Sequence, residues 1–293
     1  MTAATEPHLT GLEERWTTVR GARVRYFVGG GGPSLVLVHG LGGAASNWVE
    51  LAPTLARSCR VLALDLPGHG GSSPLPAAPS LTPFADVVAA VAEREGLLPV
   101  VVVGHSLGGL VALGLALRRP DAVRALLLAS SAGISSGTRA REVAVTTLVL
   151  ARPARLVAPF RRLVARLEWL RYPVFGFFEV SDPAAFPAAA VEGFLAGPAL
   201  HTDVLSAGRA LVADDPRIDL DRVRCPCLVL VGARDRMVPV ADAIEYARRL
   251  RAPLRIVPDC GHLVIGERPD VCVEAIAELL EQAIPPAPPA PGA

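Results

Sequence analysis

The chain of 293 residues has no lysine: all 29 of its basic residues are arginine, set against 28 acidic ones for a net charge of +1. A balance this close to neutrality offers no general electrostatic attraction to nucleic acid. Arginine remains fully charged and grips carboxylates with a rigid fork, so ion pairs here carry more geometric definition than lysine would give them. The longest apolar runs are also too short or too interrupted to span a bilayer; Val123 to Ile134, for example, contains Arg124. No integral membrane association is expected. The first 30 residues lack the charged-then-apolar order of a secretion signal. The five cysteines, Cys59, Cys225, Cys227, Cys260 and Cys272, are odd in number and contain no C-x-x-C pair. That pattern fits a reduced, cytoplasmic setting. Cys225-Pro226-Cys227 has neither redox spacing nor further ligands, and no His, Cys or carboxylate set has the spacing of a metal site. Neither metal nor cofactor is expected. Gly68-His69-Gly70 lacks the third glycine of a dinucleotide fingerprint, and Gly29 to Gly32 lacks the Lys-Ser/Thr of a phosphate loop. Both are read as turns.

What the chain does have is apolar material, 51% of its residues, enough for a large buried core. Trp16 to Val19 and Arg23 to Tyr26 read as an antiparallel pair turning near Gly21. Short apolar runs then alternate with helical patterns. The runs are Ser34 to Val38, Val61 to Leu64, Pro99 to Val103, Ala125 to Ala129, Leu228 to Val231 and Leu254 to Val257. Near-continuous apolar strands are those covered on both faces, so the spacing predicts a mostly parallel twisted α/β sheet with helices on both sides. The helices are expected at Trp48 to Arg57, Pro83 to Glu95, Leu107 to Arg118, Val240 to Arg249 and Pro269 to Ala283.

The alternation breaks between about Ser131 and Asp221, where the sequence turns helical, aromatic and unevenly charged. This predicts an N-terminal segment with the first strand (1–20), a core in two parts (21–130 and 222–284), an inserted helical lid (131–221) and a Pro-rich disordered tail (285–293). Within the insert, Arg139 to Arg171 holds eight arginines against two glutamates, and Glu179 to Asp221 has eight acidic residues against two arginines. Pairing between these halves, or plain solvation, is favoured over a membrane or anionic-partner site.

The densest chemical signal is Gly104-His105-Ser106-Leu107-Gly108, a G-x-S-x-G between an apolar strand and a helix. A turn this tight strains the serine backbone and exposes its hydroxyl at the end of the sheet. An alcohol is a poor nucleophile near neutrality, so Ser106 needs a positioned base, and the base needs an acid to hold its tautomer. His262, after the last predicted strand, is the candidate base. Asp235, after the preceding strand, is the candidate acid and is preferred to Asp259, which lies only three residues from His262. His39, His69 and His105 sit in glycine-containing turns and read as structural, while His8 and His201 have no supporting context.

From about Gly21 to Glu281 the chain resembles the α/β-hydrolase superfamily. The resemblance rests on the order Ser106, Asp235, His262 and on three further segments: His39-Gly40-Leu41-Gly42-Gly43, Asp65-Leu66-Pro67-Gly68-His69-Gly70 with Ser72, and Gly261-His262 with Glu267 and Pro269. It implies an oxyanion hole formed by the backbone N–H groups of Leu41 and Leu107. Some members take their acid after the sixth strand, but Ser130-Ser131-Ala132-Gly133 offers no carboxylate there. Serine at the elbow departs from the aspartate of related dehalogenases and epoxide hydrolases. His105 and Leu263 depart from the carbon-carbon hydrolase pattern, and Leu41 and His105 from the haloperoxidase-like one. The expected activity is that of a serine esterase or lipase-like enzyme on a small-molecule ester. Acyl transfer, thioester cleavage, carbon-carbon cleavage and a slow-turnover ligand receptor are the alternatives. Leu148, Leu150, Leu156, Val157, Phe160, Leu163, Leu167, Trp169, Leu170, Tyr172, Phe175, Phe177, Phe178 and Phe194 supply enough apolar surface for an acyl pocket, or simply for the core of the insert.

Overall fold

The computed structural model describes residues 9–76, 80–135, 153–176, 179–201, 203–213 and 219–283. Its frame is an eight-stranded sheet of β1 (Leu12–Val19), β2 (Ala22–Gly30), β3 (Ser34–Val38), β4 (Arg60–Leu64), β5 (Val100–His105), β6 (Val123–Ala129), β7 (Cys227–Gly232) and β8 (Leu254–Val257), in the order β1-β2-β4-β3-β5-β6-β7-β8. β1 and β2 form the expected antiparallel hairpin, β2 runs antiparallel to β4, and every remaining pairing is parallel. The turn between β1 and β2 contains Gly21, as expected. Gly29 and Gly30, read from sequence as part of a loop, are instead the last residues of β2 and pair with Val61 and Arg60.

The apolar strands are buried because both faces are covered. Val36, Val38, Val102, Leu126, Leu128 and Val229 pack on one side against α1 (Thr82–Arg94), α2 (Leu107–Arg118) and, later in the chain, the helix Val240–Leu250. Leu35, Leu37, Val101, Val103, Leu127 and Leu230 pack on the other against the C-terminal helix Pro269–Ala283 and the short turns around Trp48. Alternate residues of one strand thus feed two separate cores. The expected helix from Trp48 to Arg57 is instead a 3₁₀ turn at Ala45–Trp48 and a single α-turn at Ala52–Leu55. Pro53 accounts for the break: it has no N–H to donate to an earlier turn, so it fits only in the first turn of a new helix.

Between β6 and β7 the chain leaves the sheet. Its described helices are α3 (Pro153–Val157), α4 (Arg161–Arg166), α5 (Glu168–Phe175), α6 (Ala188–Ala196) and α7 (Val204–Ala213); those after β7 are α8 (Val240–Leu250) and α9 (Pro269–Ala283). The insert has its own apolar centre of Val164, Phe175, Val180, Phe186, Val191 and Leu195, joined by Leu263 from the core. Arg171, buried among these helices, donates to the carbonyls of Ala165 (2.5 Å), Ala184 (2.7 Å) and Phe186 (2.9 Å). The expected pairing of basic and acidic halves is sparse among the described residues. Arg162 reaches Glu192 at 4.0 Å, while Arg161 and Arg171 bond to carbonyls. No described helix is long and apolar enough to cross a membrane. His8, Leu148, Leu150, Phe177, Phe178 and the Pro-rich tail lie outside the described residues.

Candidate active site

The sheet order reverses between β3 and β5: the chain proceeds from β3 outward to β4, then returns to place β5 on the other flank. In open α/β sheets the crevice at such a switch point, beyond the carboxyl ends of the strands, is where ligands bind. Ser106 follows β5 and Leu41 follows β3, so the two flank this crevice. Ser106 has φ 53° and ψ −118°, a conformation costly for any residue with a side chain, and it caps the start of α2. Bonds on both sides hold it: its N–H donates to Ala129 O at 3.0 Å, and its carbonyl accepts from Gly109 and Ala132 at 3.0 and 3.2 Å. The flanking glycines are required by close approach. A Cβ on Gly108 would collide with the carbonyls of Val38 and His39, and one on Gly104 with the carbonyl of Gly108. The G-x-S-x-G pattern thus lets α2 start hard against β3 and β5 with the serine at the bend.

His262 lies after β8, and its Nδ1 meets Asp235 Oδ2 at 2.9 Å, with both side chains buried. The other Asp235 oxygen accepts from the backbone N–H groups of Met237 (2.9 Å) and Val238 (2.8 Å), which fixes the carboxylate plane. Burial pushes the Asp235 carboxyl up, but the charge and hydrogen bond of His262, with those two N–H groups, hold it net below its ordinary value. For His262 the balance runs the other way. Burial pulls the imidazole down, yet the charge and hydrogen bond of Asp235 and the charges of Glu179 and Glu267 raise it net above 6.5. Asp259, the rival acid, is exposed and paired with Arg234 at 2.5 Å.

The loop carrying His262 is held from every side. Its N–H donates to Glu179 O (2.7 Å), its carbonyl meets His105 Nε2 (2.9 Å), and the Gly261 N–H reaches the Glu267 carboxylate (3.0 Å). Glu267 also accepts from Ser181 N–H at 2.8 Å, stitching the insert to this loop. The Glu179 carboxyl, next to His262, is pushed up to about 7 by loss of water around it and drawn back only partly by the imidazole.

Leu41 lies on the loop after β3, and Leu107 follows Ser106. Leu107 is the first residue of α2, where a backbone N–H has no partner within the helix. Among the described residues neither this N–H nor that of Leu41 has an acceptor. A Cβ on Gly40 would stand 3.0 Å from Ser106 Cβ, so the Leu41 loop passes directly beside the serine. The remaining described histidines bond to backbone. His39 Nδ1 meets Gly40 O (2.7 Å) and its Nε2 accepts from Leu66 N–H (3.0 Å); His69 Nδ1 meets Pro67 O (3.1 Å). Burial lowers His39 to about 4 and His105 to about 3.

His201 and Glu179 were not singled out by sequence. His201 comes from the insert, accepts from Gly70 N–H at 2.9 Å and meets Gly42 O at 2.7 Å, so it clamps two loops of the crevice. No local motif announces it, because its partners are backbone groups far away in the chain. Of the apolar residues considered for an acyl pocket, Phe175 belongs to the insert's own core. Leu156, Phe160, Leu163, Leu167, Trp169 and Tyr172 are exposed.

A profile described as the alpha/beta hydrolase family matches residues 35–275. The chain is 33% identical over 273 residues to a pimeloyl-[acyl-carrier protein] methyl ester esterase from Aromatoleum aromaticum, covering 85% of this chain and 98% of that protein. It is 32% identical over 255 residues to the dihydrolipoyllysine-residue acetyltransferase component of the acetoin cleaving system of Pseudomonas putida, covering 84% of this chain but only 63% of that longer protein. Among solved structures it is similar to a membrane phospholipase A described as a bacterial virulence factor. That match has a TM-score of 0.71 and 27% identity, and it covers 94% of this chain and 87% of the other.

Proposed function

Because the chain belongs to the alpha/beta hydrolase family, we propose that it is a serine hydrolase cleaving a carboxylic ester of a largely apolar small molecule, with Ser106, His262 and Asp235 as its triad. The observation that carries this reading is the buried 2.9 Å pair of His262 Nδ1 and Asp235 Oδ2, on loops at the same end of the sheet as the strained Ser106 turn. With Nδ1 bonded to a carboxylate, the neutral imidazole keeps its proton there and presents a basic Nε2. His262 takes the Ser106 proton as the hydroxyl attacks the ester carbonyl, then returns it to the departing alcohol. It next activates water against the acyl-serine, releasing the acid and free enzyme. Charge on the carbonyl oxygen develops only in the tetrahedral intermediates, where the unpartnered N–H groups of Leu41 and Leu107 receive it. The sequence needs no metal or cofactor. The insert acts as a lid over this crevice. The five cysteines, all free, suit a reduced cytoplasmic setting.

The test is turnover of a chromogenic ester series of increasing acyl length, with matched thioesters, by the wild type and Ser106→Ala. Losses of roughly 10⁴-fold or more in kcat with unchanged Tm are expected for the variant, as for other triad serines. Wild-type and variant rates that coincide on every ester would overturn the reading. The similarity to an acetyltransferase component favours one second reading, acyl transfer to an acceptor other than water. Product analysis in the presence of alcohols or thiols separates the two.

A further inference from the structure

Ten large apolar side chains are exposed among the described residues, and six of them fall in one short stretch of the insert: Leu156, Phe160, Leu163, Leu167, Trp169 and Tyr172. Their exposures run from 37% to 74%, and this clustering departs from the scattered single residues usual on protein surfaces. The pattern is helical and one-sided. From α3 through α4, Ala158, Arg161, Val164 and Ala165 turn inward, while Leu156, Phe160, Leu163 and Leu167 recur at spacings of four, three and four on the outer side. On α5 the buried Arg171 and Phe175 oppose the exposed Trp169 and Tyr172. The apolar residues are interleaved with exposed Arg155, Arg162 and Arg166 against the single exposed acid Glu168. Arg155 and Arg166 make no ion pair among the described residues, and Arg162 has only a distant one.

We propose that the outer face of α3, α4 and α5 is a docking surface for a lipid bilayer carrying anionic headgroups. Four observations on these helices support that occupant: leucines and a phenylalanine that gain by entering the acyl boundary, Trp169 and Tyr172 with the amphipathic rings favoured at headgroup level, arginines whose forks match phosphate oxygens, and, among the described residues from 155 to 172, a single acid. The whole chain is nearly neutral, so the basic character is local to this face. The attraction is that of a reversible surface contact, since no described helix can span a bilayer. The inference is independent of the reaction assigned to Ser106, because it is read by binding alone.

The test is co-sedimentation of the full-length protein with vesicles of phosphatidylcholine alone and of phosphatidylcholine with added phosphatidylglycerol. Three variants are compared: wild type, Phe160→Asp/Trp169→Asp, and Arg155→Glu/Arg166→Glu. The expected result is partition onto the anionic vesicles that weakens with added salt, with at least a roughly tenfold weaker partition for each double variant. All four substituted side chains are exposed, so Tm and soluble-ester turnover should stay at wild-type values. The proposal falls if the wild type ignores anionic vesicles or binds neutral ones equally. It falls too if neither double variant changes the partition, or if the wild type proves to be a dimer that Phe160→Asp/Trp169→Asp splits and that does not pellet with vesicles.

Discussion

A single imidazole ties three segments of this site together. Gly70 N–H can only donate, so Nδ1 of His201 must be the bare nitrogen, and the proton on Nε2 goes to Gly42 O. His201 therefore fixes the carbonyl of Gly42, the residue after Leu41, on the loop proposed to receive the oxyanion. The rings of His39, His69 and His201 stand in a row at centroid distances of 5.2 and 5.4 Å, so His201 also closes the outer end of a packed column. Replacing His201 by Ala is expected to lower kcat by about tenfold while KM changes little, because the loop is left in place but loosened; losing an oxyanion donor outright costs more. Steady-state kinetics on a soluble ester give the answer, and a loss confined to KM would mean that the clamp serves binding instead. The residues proposed as nucleophile, base and acid could be singled out in the sequence because each belongs to a local pattern of strand, glycine and turn. His201 was not, since its role depends on backbone groups that only the folded chain brings near it.

At the scale of elements, apolar runs located the parallel strands to within two residues: β3 spans the expected Ser34–Val38, β4 begins one residue earlier than expected, and β6 begins two residues earlier. The double burial of these strands leaves little freedom in where they start and stop. Legibility failed where helix pattern and backbone chemistry conflict, as at Pro53, and across the insert, whose apolar residues divide between an inner core and an outer face that composition cannot separate. The insert is held by one unusual group. Arg171 is a buried cation bonded to three carbonyls and to no carboxylate among the described residues. Arg171→Leu leaves those carbonyls without their donor, at a cost of about 3 kcal/mol or more. The expected outcome is faster proteolysis within α4 to α6 while the strands keep their hydrogen-exchange protection; uniform loss of protection throughout the chain would contradict it.

Over the whole molecule, three buried histidines add to the loss of stability in acid. His39, His69 and His105 are all lowered, chiefly by burial, so the unfolded chain takes up protons that the native state refuses. A depressed histidine contributes stability that is fully present above its unfolded value of 6.5 and is progressively lost as pH falls toward the folded values near 3 and 4. Each histidine steepens the decline by up to about 1.4 kcal/mol per pH unit. Tm should therefore fall from pH 6.5 to 4.5, and His39→Gln should flatten that fall even if it lowers Tm at pH 8. An equal slope in the variant would assign the acid sensitivity to other groups.

The insertion point after β6 also divides the molecule along a seam. Ser106, Leu41 and Leu107 precede it, on segments that follow β3 and β5, and both Asp235 and His262 lie beyond it, on the loops after β7 and β8. The ladder from Leu126↔Cys227 to Ala129↔Leu230, the bonds from Ser130 N–H to Leu230 O and from Leu126 N–H to Pro226 O, the packing of α8 and α9 and the clasp of His105 on His262 O hold the two parts in register. Both apolar cores cross this line, and a molecule that parted along it would keep the serine turn without the imidazole proposed as its base. Competence for chemistry is in that sense a property of the joint and not of either half.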